Sequence, residues 1–149
     1  MKKMKFWLIF LFVTVLSVSC YGRSVVIKTK DLPAPARNIV KNHFKGRNIT
    51  KAEKESDLDG VTYEVTLDNG DEITFNSNGG WVEIECKAGV VPFSVIPVAI
   101  ANYVKKNYPN VPIKKIERGH KNYEVELSNE TEIHFNKNDY KVVRVKVDD

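Results

Sequence analysis

The segments Tyr63-Glu64-Val65-Thr66-Leu67-Asp68-Asn69 and Glu72-Ile73-Thr74-Phe75-Asn76-Ser77-Asn78 decide the fold of this chain, because both occur twice. Sixty positions later the chain reads Tyr123-Glu124-Val125-Glu126-Leu127-Ser128-Asn129 and then Glu132-Ile133-His134-Phe135-Asn136-Lys137-Asn138. Ten of the sixteen positions from 63 to 78 are identical in the second copy. Similarity of this kind at a fixed spacing indicates a duplicated structural unit.

Each copy has the alternating pattern of strands with one buried and one polar face. In the first copy the predicted inward set is Val61, Tyr63, Val65, Leu67, Ile73, Phe75, Val82, Ile84 and Cys86. Asp68-Asn69-Gly70-Asp71 separates two strands and predicts a tight hairpin turn. Less regular strands are expected near 49–55 and 113–118. Each unit therefore contributes four strands.

A helix is predicted at the start of each unit. Leu32-Pro33 and Ile96-Pro97 place proline where a helix begins, and apolar residues then recur at helical spacing. The predicted fold class is α+β, with two tandem α-β-β-β-β repeats at 32–88 and 95–147. Because a unit of this size is small for independent stability, we expect a single domain over 32–147. Its strands would form one curved antiparallel sheet with both helices on one face.

The first residues predict export. Lys2, Lys3 and Lys5 precede an apolar run from Phe6 to Val18, the pattern of a secretory signal peptide over 1–19, followed by a leader over 20–31. Cys20 after Ser19 leaves two alternatives: ordinary cleavage, or lipidation of Cys20 as in bacterial lipoproteins. The expected location is the periplasm or cell envelope. A lipid anchor on Cys20 would be the chain's contact with the membrane.

The charge balance disfavours nucleic acid as a partner. The whole chain carries +4, but three lysines and no acidic residue lie in residues 1–20, so the remainder has 20 basic and 19 acidic residues. A net basic surface of the kind that binds nucleic acid is therefore not expected.

The repeated helix start, the Tyr-Glu-Val-x-Leu strand and the Glu-Ile-x-Phe-Asn strand resemble the PepSY-like family of exported bacterial proteins, which is similar in fold to the β-lactamase inhibitor protein. The resemblance covers about 32–147. It implies a sheet that serves as a protein-binding surface, and inhibition of peptidases is suspected of related domains. No inhibitory motif is recognisable here, so the resemblance assigns no inhibitory residue.

No catalytic set is predicted from the motifs. His43, His120 and His134 fall on a helix, a turn and a strand without a close pair, so neither a metal site nor a cofactor is expected. Nucleophile motifs are missing from the sequence, and Cys86 is interpreted as a structural thiol. Asp57-Leu58-Asp59-Gly60 resembles a fragment of a calcium loop but lacks the later ligands, and we interpret it as a turn. The chain is predicted not to be an enzyme.

The candidate binding residues lie on the predicted polar face of the sheet. An exposed tryptophan among polar groups is typical of a binding hot spot, and the strand register that turns Val82 and Ile84 inward would turn Trp81 outward. The alternative register places Trp81 at the edge of the core. The candidate patch contains Trp81, Glu64, Glu83, Glu85, Glu124, His134 and Arg144.

Two functions follow as hypotheses. The first is a non-enzymatic protein that binds a protein or peptide of the envelope through the open sheet, for instance to inhibit an envelope enzyme. The second is a small-molecule or calcium sensor that uses the equivalent glutamates Glu64 with Glu124, or Glu72 with Glu132. Alternation of polar residues on a wet sheet face explains these glutamates without a ligand, and we prefer that interpretation.

Overall fold

A computed structural model describes residues 22–147, and the predicted signal peptide at 1–19 and the lipidation candidate Cys20 lie outside this range. The structure contains two α-helices, α1 (Ala34–His43) and α2 (Val98–Asn107). Short 3-10 turns at Thr29–Asp31 and Phe93–Val95 precede them. Among residues 22–147, neither helix has the length and apolar character needed to cross a membrane.

Nine strands form one antiparallel sheet in chain order. They are β1 (Arg23–Val26), β2 (Ile49–Asp57), β3 (Gly60–Leu67), β4 (Glu72–Asn76), β5 (Trp81–Glu85), β6 (Ile113–Arg118), β7 (Asn122–Leu127), β8 (Thr131–Asn136) and β9 (Val142–Val147). The predicted α+β class and the single antiparallel sheet with two helices are confirmed. The additional strand is β1, which lies in the predicted leader and pairs with β2. All four residues of β1 are exposed. The strand therefore has no buried face, and its sequence has no apolar alternation from which it could be predicted.

Both helices begin where the sequence predicts. Pro33 and Pro97 have extended backbone and immediately precede α1 and α2, a position at which the missing N–H of proline removes no helical hydrogen bond. Ala36 and Val40 of α1 are buried, as are Ile100, Ala101 and Val104 of α2. The helices therefore contribute one apolar stripe each to the core.

The core lies between the helices and one face of the sheet. A row of fully buried aliphatic residues crosses six strands in register: Val65, Ile73, Ile84, Ile116, Val125 and Ile133. Ile84 of β5 and Ile116 of β6 join the two repeats, so both repeats share this core. Removing each such side chain from water contributes roughly 1.5–3 kcal/mol.

The duplication extends to the irregularities of the sheet. The register shifts between Thr74 and Phe75 in β4 and again between His134 and Phe135 in β8, and further shifts occur in β2 and β6. These are β-bulges, in which an extra residue on one strand changes which side chains face the core. The bulge opposite β4 changes the direction in which Trp81 points, since it pairs Trp81 with Phe75.

Candidate functional site

The polar face of the sheet carries two rows of side chains that run across eight strands. The first row contains Glu53, Glu64, Thr74, Glu83, Glu117, Glu124, His134 and Arg144. The second row contains Lys51, Thr66, Glu72, Glu85, Lys115, Glu126, Glu132 and Lys146. We call these sixteen residues the polar face. Within residues 22–147, both helices pack on the opposite side of the sheet.

The polar face is acidic although the chain as a whole is not. Its two rows hold nine glutamates against four lysine or arginine side chains. On the other side of the sheet, α1 and α2 contain no aspartate or glutamate, and both have basic residues in their last turn. The charges are therefore segregated between the two sides, which the net charge of the sequence does not reveal.

Lysines of the chain neutralise part of the first repeat. Lys51 Nζ lies 2.8 Å from Glu53, Lys87 Nζ lies 2.8 Å from Glu72, and Lys115 Nζ lies 3.2 Å from Glu83. The hydrogen bond from Lys87 to Glu72 raises the pKa of Lys87, since the carboxylate stabilises the charged amine. The lysines of these pairs are exposed or partly exposed, so solvent screens the attraction and each pair contributes little to the stability of the fold.

The pKa of Glu64 is changed by its burial and by neighbouring carboxylates. Burial raises the pKa of its carboxyl group, and the charges of Glu72, Glu53 and Glu55 raise the pKa further. Both effects disfavour the ionised form, because a carboxylate is less well solvated there and is repelled by its neighbours. The centre of the polar face in the first repeat therefore favours the approach of a cation.

In the second repeat, a histidine lies between two carboxylates. His134 Nε2 is 2.5 Å from Glu132 Oε1, and Nδ1 is 3.8 Å from Glu124 Oε2. One donor atom from each of the three residues can be chosen so that all lie within 4.8 Å of one another. Arg144 and Lys146 of β9 lie opposite His134 and Glu132 in register. The equivalent position of the first repeat holds Thr74, so the arrangement occurs once.

This cluster was missed by the sequence analysis, which looked for pairs of histidines. A usable signal was present: Glu132 and His134 are two apart on one strand and therefore share a face, and the hairpin places Glu124 opposite His134. Two carboxylates and an imidazole are donors that a divalent transition metal accepts. The geometry therefore makes these three residues a candidate metal site, although the sequence predicted none.

Trp81 does not belong to the polar face, and the prediction that it points outward is wrong. Its side chain is buried, with an exposed fraction of 4 %. Trp81 pairs with Phe75 while Glu83 pairs with Thr74, so Val82 is the extra residue of the bulge. That insertion turns Trp81 to the core side and leaves Val82 only partly buried.

The remaining predicted residues do come together. Glu64, Glu83, Glu124, His134 and Arg144 share the first row, and Glu85 lies in the adjacent row. The structure places these residues on one surface, and their role in binding stays a prediction.

Three other candidates have structural explanations. Cys86 is buried, and burial followed by the charge of Asp71 raises the pKa of its thiol to about 12, so the thiolate is disfavoured. Asp57 Oδ1 accepts hydrogen bonds from the backbone of Asp59 and Gly60, as expected for a turn. His43 Nδ1 lies 2.9 Å from Ser94 Oγ, far along the chain from the other histidines.

Comparison with solved structures identifies close relatives of the whole fold. A "putative calcium-regulated periplasmic protein" from Bacteroides thetaiotaomicron is 37% identical, with a TM-score of 0.79 over 83% of this chain and 96% of that chain. A "putative periplasmic protein" of the DUF2874 family from Bacteroides vulgatus is also 37% identical, with a TM-score of 0.78 over the same shares of the two chains. No functionally curated protein matches the chain.

Two family profiles match. The profile described as peptidase propeptide and YPEB domain (PepSY) matches residues 33–86, which correspond to the first repeat. The profile described as putative beta-lactamase-inhibitor-like, PepSY-like, matches residues 61–141, which include strands of both repeats. The second match spans more than half of the chain, and the relatives with the same fold are periplasmic proteins. This chain belongs to the PepSY-like family.

Proposed function

We propose that this protein is a non-enzymatic binding protein of the cell envelope that recognises a basic segment of a protein or peptide through its polar face. The observation that supports this most strongly is the excess of nine glutamates over four basic side chains on one open side of the sheet. A surface of one charge sign attracts a partner of the opposite sign and accelerates its association. Inhibition of an envelope enzyme is one form that such binding takes, and the inhibitor-like description of the family supports it.

The fold holds the side chains of the polar face in fixed positions. The side chains of the polar face are fixed by strand register rather than by loops, so an extended partner meets rows of carboxylates at regular spacing. Glu64 and Glu85 stand in neighbouring rows of the first repeat and are suitable positions for reversing the charge.

The experiment measures binding of a fluorescently labelled lysine- and arginine-rich peptide by anisotropy, at low and high salt. We expect wild type to bind it, a glutamate-rich peptide of the same length not to bind, and added salt to weaken binding. Glu64→Lys with Glu85→Lys should weaken binding about tenfold or more, because two attractions become repulsions. The matched control is Asp59→Lys with Glu130→Lys, the same change of charge in two exposed turns away from the polar face.

The control variant should bind as wild type does. Equal losses in both double variants would show that only the net charge matters, and would overturn the assignment to the polar face. Circular dichroism of each variant checks that the fold is intact.

A second candidate function is cation-dependent sensing, favoured by the cluster of Glu124, Glu132 and His134. One relative is described as calcium-regulated, which supports a cation as ligand. Calcium prefers oxygen ligands, whereas the imidazole of His134 favours a transition metal such as zinc. The cluster thus supports binding of a divalent ion, and titration with calcium and with zinc identifies which ion binds.

Calorimetry with calcium chloride and with zinc chloride tests this candidate. Wild type should release or absorb heat with at least one ion, and Glu132→Gln should abolish the signal. Glu72→Gln is the matched control, because Glu72 occupies the equivalent place in the first repeat, where Thr74 replaces His134. Absence of heat with both ions, together with an unchanged melting temperature, would remove this candidate.

A further inference from the structure

A cleft lies where the two repeats meet, at the end of the sheet that contains the β6–β7 turn. Its volume is about 490 Å³. Arg118, His120 and Lys137 provide basic groups, Glu117 provides a carboxylate, and Val82 and Tyr123 provide apolar walls. We call these six residues the junction cleft. We propose that the junction cleft binds a carboxylate group of a small ligand and that Arg118 is its anchor.

The state of Arg118 is the main observation. Its guanidinium lies 4.4 Å from the ring centroid of Trp81 and 5.8 Å from that of Tyr123, so aromatic rings hold it in place. Arg118 Nε is buried and has no hydrogen-bond partner within residues 22–147. None of the ion pairs in that part of the chain includes Arg118.

The side chain of Arg118 as a whole is partly exposed, but its buried Nε is a donor without a partner, which is unfavourable and requires an explanation. A guanidinium offers several donors in a planar fork, and this geometry matches the two oxygens of a carboxylate. The ring of Trp81 fixes the plane of the fork before a ligand arrives. This preorganisation reduces the entropy that binding has to overcome.

The charges around the cleft favour a carboxylate over a phosphate. Lys137 Nζ donates a hydrogen bond to the carbonyl oxygen of Gly119 at 3.0 Å and so stands beside Arg118 at the β6–β7 turn. Glu117 lines the same cleft and offsets one of these two positive charges. Arg118 and Lys137 against Glu117 leave a net charge of +1, which balances one negative charge and would leave the second charge of a doubly charged phosphate uncompensated.

Comparison of the repeats shows that the arrangement belongs to their junction. Arg118 lies opposite Tyr123 in the second repeat, whereas Lys54 lies opposite Tyr63 in the first. Trp81 pairs with Phe75, whereas Val142 pairs with Phe135. The stacked arginine forms because β5 of the first repeat brings Trp81 next to β6 and β7 of the second.

This inference goes beyond the proposed function, since the cleft takes an anion and the polar face takes a cation. The two proposals therefore fail independently. Lys54→Gln is the matched control for the cleft, because it removes the basic side chain at the equivalent position of the first repeat.

The probe is N-acetylglycine, and N-acetylglycinamide is the uncharged compound of nearly the same shape. Binding is followed by tryptophan fluorescence in the full chain carrying Trp7→Phe, so that Trp81 is the single tryptophan whether or not residues 1–19 are cleaved. At constant ionic strength we expect a saturable change with N-acetylglycine below about 50 mM and none with the amide. Arg118→Gln should weaken binding about tenfold or more, whereas Lys54→Gln should leave it unchanged.

Glu117→Gln is a second variant, in the first row of the polar face, in which N-acetylglycine should bind more tightly because a competing charge is removed. It keeps the test valid if Arg118→Gln does not fold. The proposal is overturned if wild type shows no saturable change, if the amide binds as well as the acid, or if a folded Arg118→Gln protein retains full affinity. Tighter binding of inorganic phosphate than of N-acetylglycine would also overturn it, in favour of a phosphate site.

Discussion

Trp81 lies opposite Phe75 in register, 6.2 Å from the ring of Tyr123 and beneath the guanidinium of Arg118. The indole is thus a part of the core that also supports a charged side chain. Its contribution to the surface is indirect, since the buried ring supports the guanidinium of Arg118. The bulge at Val82 is the local cause of this placement.

Replacing Trp81 by alanine should destabilise the protein by about 3–5 kcal/mol, because a large buried side chain is removed and a cavity remains. Urea denaturation followed by circular dichroism measures the change in the free energy of unfolding. Val142→Ala, at the equivalent position of the second repeat, should cause a smaller loss because Val142 is smaller and only partly buried. A loss below about 1 kcal/mol in the free energy of unfolding of Trp81→Ala would contradict the burial of the Trp81 side chain.

Glu64→Gln should stabilise the protein at neutral pH and show a pH dependence of defined sign. The pKa of Glu64 is raised in the folded state by burial and by Glu72, Glu53 and Glu55. The folded protein therefore binds the proton more tightly than the unfolded chain, and stability falls as pH rises from the ordinary pKa of 4.5 through the folded pKa. Above that window the full penalty of the ionised group is present.

The gain from Glu64→Gln at pH 7 should be below about 1 kcal/mol, since solvent screens a half-exposed carboxylate, and it should diminish at acidic pH. Thermal melts of both proteins across pH measure this difference. Glu124→Gln serves as a control because Glu124 has His134 as a neighbour at 3.8 Å, and it should not stabilise. A gain for Glu64→Gln that grows as pH falls would contradict the stated cause.

At the scale of elements, the β4–β5 hairpin packs against the start of α1. Gly79 in that hairpin has a φ of +82°, and a Cβ atom there would lie 2.8 Å from Pro33 Cβ and 3.0 Å from the backbone nitrogen of Ala36. Glycine is therefore required at this position for two reasons, the backbone conformation and the close approach of the helix.

The two reasons can be separated with a matched glycine. Gly46 after α1 has a similar φ of +79°, but an added Cβ atom would meet nothing within 4 Å. Gly46→Ala should lose about 1–2 kcal/mol from the left-handed conformation alone. Gly79→Ala should lose a further 1–3 kcal/mol, roughly, from overpacking. If chemical denaturation gave equal losses in the free energy of unfolding for Gly46→Ala and Gly79→Ala, the hairpin would not be closely packed against the helix.

For the whole molecule, the two repeats share one sheet and one core, and the boundary between them is the pairing of β5 with β6. Ile84 and Ile116 lie opposite each other at this boundary and are fully buried. Neither repeat can unfold without exposing apolar surface of the other. The repeats should therefore unfold in one cooperative transition.

Hydrogen exchange tests this cooperativity. Ile116→Ala should lower the protection of amides in β3 and β7 by the same amount, about 2–5 kcal/mol, because the cavity weakens a core that both repeats use. Val147→Ala, an exposed position on the edge strand β9, should leave both unchanged. Retained protection in β3 with lost protection in β7 would show that the repeats are separate cooperative units.

The sequence by itself determined the helix starts, the alternation of the strands, the duplication and the family, because these depend on local spacing and on residues such as Pro33, Pro97 and the two Tyr-Glu-Val strands. It also placed Glu64, Glu83, Glu124, His134 and Arg144 on one face, since side chains alternate with a period of two. Only the tertiary structure decided the inward turn of Trp81, the strand β1 and the meeting of Arg118 with Trp81. Each of these depends on a bulge or on pairing between distant strands. A bulge shifts the register by one residue without a local signal, and one residue is enough to exchange the buried and exposed faces. Pairing between distant strands brings together residues whose proximity no local pattern of the sequence shows.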